Sequence, residues 1–174
     1  NSQYGYWKIG DTSSAGSRLS QSPLRSPSVL NFFRPGYVPP STALATAGQV
    51  APEFQLVNES SVGGYLNYMQ GVIRNGIYAN APDVPQNASN TNNGYDIRTT
   101  YPNEMAIVTD ADALVARINL LMCAGQLSAA TIKLIADALK ATPVTAASTE
   151  AVKLNRIAAA ILLVMASAEY LIQK

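Results

Sequence analysis

The chain of 174 residues carries twelve Lys and Arg against eleven Asp and Glu, for a net charge of +1, and is 13% charged and 48% hydrophobic. That length and apolar share suffice for a buried core and exclude disorder throughout. The charges are scattered singly, which excludes both the clustered Lys and Arg that displace counterions from nucleic acid and a polybasic membrane-binding stripe.

There is no histidine. Ser-His and Cys-His catalysis and His-ligated zinc, iron or copper sites are therefore excluded within this chain. No Ser-x-x-Lys motif and no Gly-rich phosphate loop occurs, and no cofactor is expected. Cys123, the single cysteine, cannot form an internal disulfide, and its setting in Leu120-Leu121-Met122-Cys123-Ala124 predicts a small buried hydrophobe. The longest apolar stretch, Ile157 to Ala166, is too short to span a bilayer. The chain begins at Asn1 with no signal-peptide pattern, which points to a processed or trimmed chain. So low a charge content has two readings: a surface of Ser, Thr, Asn and Gln, or a surface partly covered by another chain or by further sequence.

Residues 1–58 lack helical periodicity. Prolines 23, 27, 35, 39, 40 and 52 fix their own backbone and push the preceding residue toward extended geometry. Large apolar groups lie between them, namely Val29, Leu30, Phe32, Phe33, Tyr37 and Val38, so the segment reads as an ordered extended arm rather than a linker. A short helix over Ser28 to Phe33, with Pro27 at its first turn, is compatible with this pattern. In an extended arm Phe32 and Phe33 face opposite ways, which suits an arm held between two surfaces.

Asn58-Glu59-Ser60-Ser61 reads as a helix start, and Val62, Tyr65, Leu66, Met69, Val72 and Ile73 follow at helical spacing. Gly76 is a stop, so a helix is expected over 59–76. Gly63 and Gly64 either weaken its first turn or admit a close neighbour. Residues 77–103 read as a loop, with Asn-rich low complexity from Asn87 to Gly94.

A three-helix core is expected over 104–174. Thr109-Asp110-Ala111-Asp112 resembles a capping box, and Leu114, Ile118, Leu121, Met122 and Gly125 fall on one face. Ser128 caps a second helix, with Ile132, Ile135 and Leu139 inward and Pro143 ending it. Thr149 or Ser148 caps a third. The run Ile157 to Met165 is apolar all round, the mark of a central buried helix. The expected fold is mainly α: a C-terminal antiparallel helical bundle with a long Pro- and aromatic-rich irregular N-terminal arm, in one domain.

Candidate chemistry is sparse. Glu53 and Glu59 flank the entry to the first helix as an acid/base pair, or else Glu59 caps the helix and Glu53 is solvated or ion-paired. Arg25 and Arg34 form an anion clamp, or else structural ion pairs. Asp110 and Asp112 lack the remaining ligands of a calcium loop and read as caps. Dense tyrosines with Trp7 suit sugar stacking, a protein interface or ordinary packing.

The stretch Gln21-Ser22-Pro23-Leu24-Arg25-Ser26-Pro27-Ser28-Val29-Leu30-Asn31-Phe32-Phe33-Arg34-Pro35-Gly36-Tyr37-Val38-Pro39-Pro40 resembles a characteristic segment of the DUF1800 family. The likeness continues through Val50 to Gln55, Asn58 to Ser61, Tyr65 to Met69, Ala124 to Ser128 and Leu163 to Lys174, with Ala168 where the family often has proline. It implies a helical bacterial protein, often exported, usually with a large N-terminal part that bears histidines, and it brings no catalytic residues to carry over. The expectation is a non-catalytic structural and interaction module of an exported protein. It would assemble with itself or with the rest of its parent, with binding through Arg25, Phe32, Phe33, Arg34, Tyr37, Glu53 and Glu59. The alternative is a fragment of a secreted carbohydrate-active or other hydrolytic enzyme, or a glycan-binding module.

Overall fold

The structure, a computed structural model, describes Ser2, Gly5, Trp7, residues 9–78 and residues 95–171. The fold is mainly α, as the periodicity predicts. In chain order it comprises α1 (Ala43–Thr46), a 3-10 turn (Pro52–Gln55), α2 (Glu59–Asn75), β1 (Ile77–Tyr78), β2 (Tyr95–Ile97), α3 (Pro102–Ile107), α4 (Ala111–Cys123), α5 (Ala129–Lys140), α6 (Glu150–Met165) and α7 (Ala168–Leu171). The Asn-rich stretch Asn87 to Gly94 lies outside the described residues. The chain divides into two compact units, Lys8–Met69 and Asn1–Trp7 with Gln70–Lys174, and α2 runs from one into the other.

In the larger unit the helix starts follow local capping chemistry. Asp110, rather than Thr109, caps α4 by accepting the Ala113 N–H at 3.0 Å. Ser128 accepts the Thr131 N–H at 3.2 Å to cap α5, and Thr149 accepts the Val152 N–H at 3.4 Å to cap α6. α4 ends on Ala124 in the left-handed region, where the N–H groups of Ala124 and Gly125 both return to the Asn119 carbonyl. The Asn119 side chain is buried and accepts the Leu127 N–H at 3.1 Å, which shapes the short turn into α5.

α5 runs antiparallel to both of its neighbours. Asp112 in the first turn of α4 pairs with Lys140 at the last residue of α5, at 2.7 Å. Glu169, just past α6, reaches Ser128 and Thr131 at the start of α5. The core joins Val108, Leu114, Val115, Ile118, Ile135, Leu139, Ile157, Ala160 and Val164. Its centre is α4, which packs on α3, α5, α6 and α7. The apolar run of α6 predicted that role for α6 instead, but Ile161 and Leu162 are half-buried and Leu163 is exposed. Leu121, expected on the inward face, is 62% exposed. Cys123 is buried, and burial, followed by the nearby Glu169 charge, pushes its thiol above the ordinary range.

Arg156 on α6 is also buried. Its guanidinium donates to the Val108 carbonyl at 3.2 Å, Thr109 at 3.5 Å, Leu139 at 3.0 Å and Thr142 at 2.5 Å. These carbonyls lie at the C-terminal ends of α3 and α5, where the helix dipole favours a cation. A second polar link joins α3 to α4, where Arg117 Nε donates to buried Glu104 at 2.6 Å.

The expected loop over 77–103 contains antiparallel pairing of Ile77 with Ile97 and of Tyr78 with Tyr95. Ser2 bridges Ile97 on the other side. Buried Asp96 accepts the Ser2 hydroxyl at 2.7 Å and the Trp7 N–H at 2.9 Å, which ties the N-terminal residues to β2. Gly76 is required before β1: its φ is +93°, and a Cβ there would lie 2.3 Å from the Ile97 carbonyl oxygen. Tyr101, at the start of α3, donates its hydroxyl to the Ile73 carbonyl at 2.8 Å.

The unit Lys8–Met69 is irregular but is not an extended strand-like arm. Turns fold it back repeatedly: the N–H of Arg25 donates to Ser22, Asn31 to Ser28, and Tyr37 to Arg34. The Ser28–Phe33 stretch makes only such turns and no helix. The Ala51 N–H donates to the Tyr37 carbonyl at 2.8 Å, closing the loop that carries α1. Asn58 and Ser61 cap α2 reciprocally, each backbone N–H donating to the other's side chain, at 2.9 and 3.0 Å. Gly64 packs against the 15–17 backbone with no room for a side chain. Among the described residues no helix is long and apolar enough to cross a membrane.

Candidate functional site

All seven candidate residues lie in the unit Lys8–Met69. Its turns set each of them. Arg25 sits just after the Pro23-Leu24 turn and pairs with Asp11 at 3.3 Å, the arginine exposed and the aspartate half-buried. An exposed pair of this kind contributes little stability. The Asp11 carboxyl is nonetheless held below its ordinary range, first by the Ser13 hydroxyl and N–H and then by Arg25 and Arg18. The Arg18 side chain also donates to the Asp11 carbonyl.

Arg34 is exposed, and its backbone N–H donates to Gln55 Oε1 at 2.8 Å. That bond links the segment after Phe33 to the 3-10 turn that carries Glu53. Glu53 itself is exposed, as is Glu59 at the first position of α2. Phe33 and Tyr37 are half-buried.

Phe32 is half-buried and lines a cleft of 550 Å³ together with Thr12, Leu19, Gln21, Ser22, Pro23, Leu24, Ser26 and Asn31. Arg25, Arg34, Glu53 and Glu59 are not in its walls. The lining side chains are apolar or uncharged polar, and Thr12 is already committed, donating to the Gln21 carbonyl at 2.6 Å. A wall of this kind binds by shape and apolar contact; it holds no acid, base or nucleophile–base pair. Among the described residues no group of three or more His, Cys, Asp or Glu side chains is placed to hold a metal ion.

Residue-type reasoning missed the left-handed backbone of this surface, which Ser20, Leu24, Asn31 and Ser41 all adopt. Leu24 has φ +59° and is fully exposed. The Pro23-Leu24 pair did not signal it, because proline is favoured at the second position of type I and type II turns alike and only the latter puts the third position at positive φ. Val29, at the next turn, is also fully exposed.

The sequence model of the DUF1800 family, described as a protein of unknown function, matches residues 7–172. The chain belongs to the DUF1800 family. No curated protein and no solved structure matches it. The match begins before Gln21, where the quoted resemblance starts, and so takes in the Asp11 and Arg18 turn. In this DUF1800 chain the segment Gln21 to Pro40 builds the two apolar-tipped turns and much of the cleft wall.

Proposed function

We propose that this chain is a non-catalytic structural and interaction module of an exported protein, whose residues 9–69 are completed by contact with another protein surface. One observation carries the reading. Among the described residues of 9–69 no Leu, Ile, Val, Met, Phe or Tyr side chain is buried, whereas Thr12, Ser22 and Ser61 are. Leu24, Val29, Leu30, Val50, Phe54 and Val57 are exposed. Each such side chain forgoes roughly 1.5–3 kcal/mol that burial provides. A unit whose large apolar side chains are at most half-buried, among them Leu19, Phe32, Phe33 and Tyr37, gains from a surface that covers them. The exported location rests on the family resemblance. A hydrolytic cleft built from Arg25, Arg34, Glu53 and Glu59 lacks support, because none of the four lines the cleft and Arg25 is engaged with Asp11.

The test combines an apolar dye with sedimentation. The chain is expected to bind the dye when dilute and to release it on assembly. A Val50→Ser, Phe54→Ser, Val57→Ser variant is expected to lose both properties with its helical signal unchanged. Turnover of an ester or glycoside by the pure chain, abolished by Glu59→Gln, would overturn the reading.

A further inference from the structure

Arg156 brings a full positive charge into the helical unit, and only the partial charges of two helix ends balance it. A guanidinium has five N–H donors. Four are spent, two on the Val108 and Thr109 carbonyls through Nη1 and two on the Leu139 and Thr142 carbonyls through Nη2. Carbonyls satisfy hydrogen bonds but carry no net charge, and among the described residues no carboxylate pairs with Arg156. The fifth donor, Nε–H, has no partner among them either. It is not sealed in, because the buried side-chain polar atom left without a partner among these residues is Ser20 Oγ. A cation only 7% exposed, with its last donor within reach of solvent, leaves a place for an anion.

The surroundings say which anion. Arg156 lines a cleft of 310 Å³ where the end of α5, the connection after it and α6 meet. Leu139, Val144 and Val152 give the cleft apolar walls, and the exposed Thr142 and Asn155 stand at its edge. Neither the Thr142 hydroxyl nor the Asn155 amide is spent on a hydrogen bond among the described residues. No Asp or Glu is in the walls. Asp110 and Asp112 line a neighbouring depression that shares Val144 and Arg156, but Asp112 is tied to Lys140 at 2.7 Å and Asp110 caps α4. One guanidinium balances a monoanion, whereas a phosphate dianion would bring more charge than it offsets. The apolar walls ask for a tail, and the volume lies at the small end of ligand pockets.

We propose that this cleft binds a small carboxylic acid with a short apolar tail. Arg156 Nε, the Asn155 amide and the Thr142 hydroxyl hold the carboxylate, and the tail lies against Leu139, Val144 and Val152. All of these residues belong to the unit that contains Gln70–Lys174, so the site does not depend on the interaction-module reading.

Hexanoate serves as the probe, with hexanol as the same tail without the charge and inorganic phosphate as a charge without the tail. Titration calorimetry of the full chain is expected to give saturable hexanoate binding, hexanol binding weaker by about tenfold or more, and no binding of phosphate over the same range. Arg156 is left in place, because it holds the ends of α3 and α5. The variant is Asn155→Asp, which keeps the side chain's size at an exposed position and sets a negative charge beside the anion. It is expected to weaken hexanoate about tenfold and to leave hexanol unchanged. Equal binding of hexanoate and hexanol would overturn the carboxylate assignment, as would phosphate binding as tight as hexanoate or hexanoate binding that Asn155→Asp leaves unaltered. A chain that shows no saturable hexanoate binding would overturn the site itself.

Discussion

The Glu169 carboxylate accepts a 2.7 Å hydrogen bond from the Thr131 hydroxyl and a 3.4 Å bond from the Ser128 N–H, which places an anion over the N-terminus of α5. The Thr131 bond is the largest cause, with the Glu169 and Ser128 hydrogen bonds behind it, of a carboxyl held at about 2 rather than 4.5. The helix dipole at this end favours the same charge.

A carboxyl depressed in the folded state stabilises that state above the unfolded value, and the gain disappears as pH falls through the folded value. Glu169→Gln should therefore lower the melting temperature at neutral pH. The gap between variant and wild type should close as pH falls from about 4.5 toward 2. Melting curves by circular dichroism at a series of pH values measure it, and a gap independent of pH would show that the carboxylate plays no part.

Arg156 is expected to be the most sensitive polar position of the helical unit. Arg156→Leu removes the donors to four carbonyls at the ends of α3 and α5. Leu139 keeps the Thr142 N–H, but the buried Val108 carbonyl and the part-buried Thr109 and Thr142 carbonyls lose this donor, at a cost of about 1–3 kcal/mol. Arg156→Lys keeps the charge but lacks the planar fork that reaches both helix ends, and should recover only part of the loss. Urea denaturation of the two variants checks the order.

The adjacent glycines of α2 should respond in opposite senses. A Cβ on Gly64 would lie 2.2 Å from the Ala15 carbonyl oxygen, which is backbone and cannot step aside cheaply. Gly64→Ala is expected to destabilise by about 1–3 kcal/mol. A Cβ on Gly63 meets nothing within 4 Å, so Gly63→Ala should stabilise α2 by about 0.5–1 kcal/mol through helix propensity. Hydrogen exchange of the α2 amides distinguishes the two.

The helix starts at Asn58, Ser128 and Thr149 were legible because capping is chemistry within four residues: a side-chain oxygen and the first N–H groups meet before any tertiary contact forms. The start of α4 was read one residue early, because Thr109 and Asp110 are both competent caps and only backbone geometry selects between them. The β1–β2 pairing escaped notice because two- and three-residue strands leave too little alternation to read. Among the candidate site residues, Phe32 lines the cleft and Phe33 and Tyr37 do not, a distinction that residue type cannot make, just as it could not tell that Arg25 faces Asp11.

The sequence by itself determined a mainly α chain with no histidine chemistry and with helices beginning at defined caps, because periodicity, capping and composition are properties of short windows. The tertiary structure alone decided that α4 and not α6 lies at the centre, since burial depends on which faces of separate helices meet. It also decided that Arg156 is buried against carbonyls as far away as Val108, 48 residues earlier in the chain. And it alone set Leu24 outside with nothing against it, because a turn dictates where a side chain points but not what waits there to cover it.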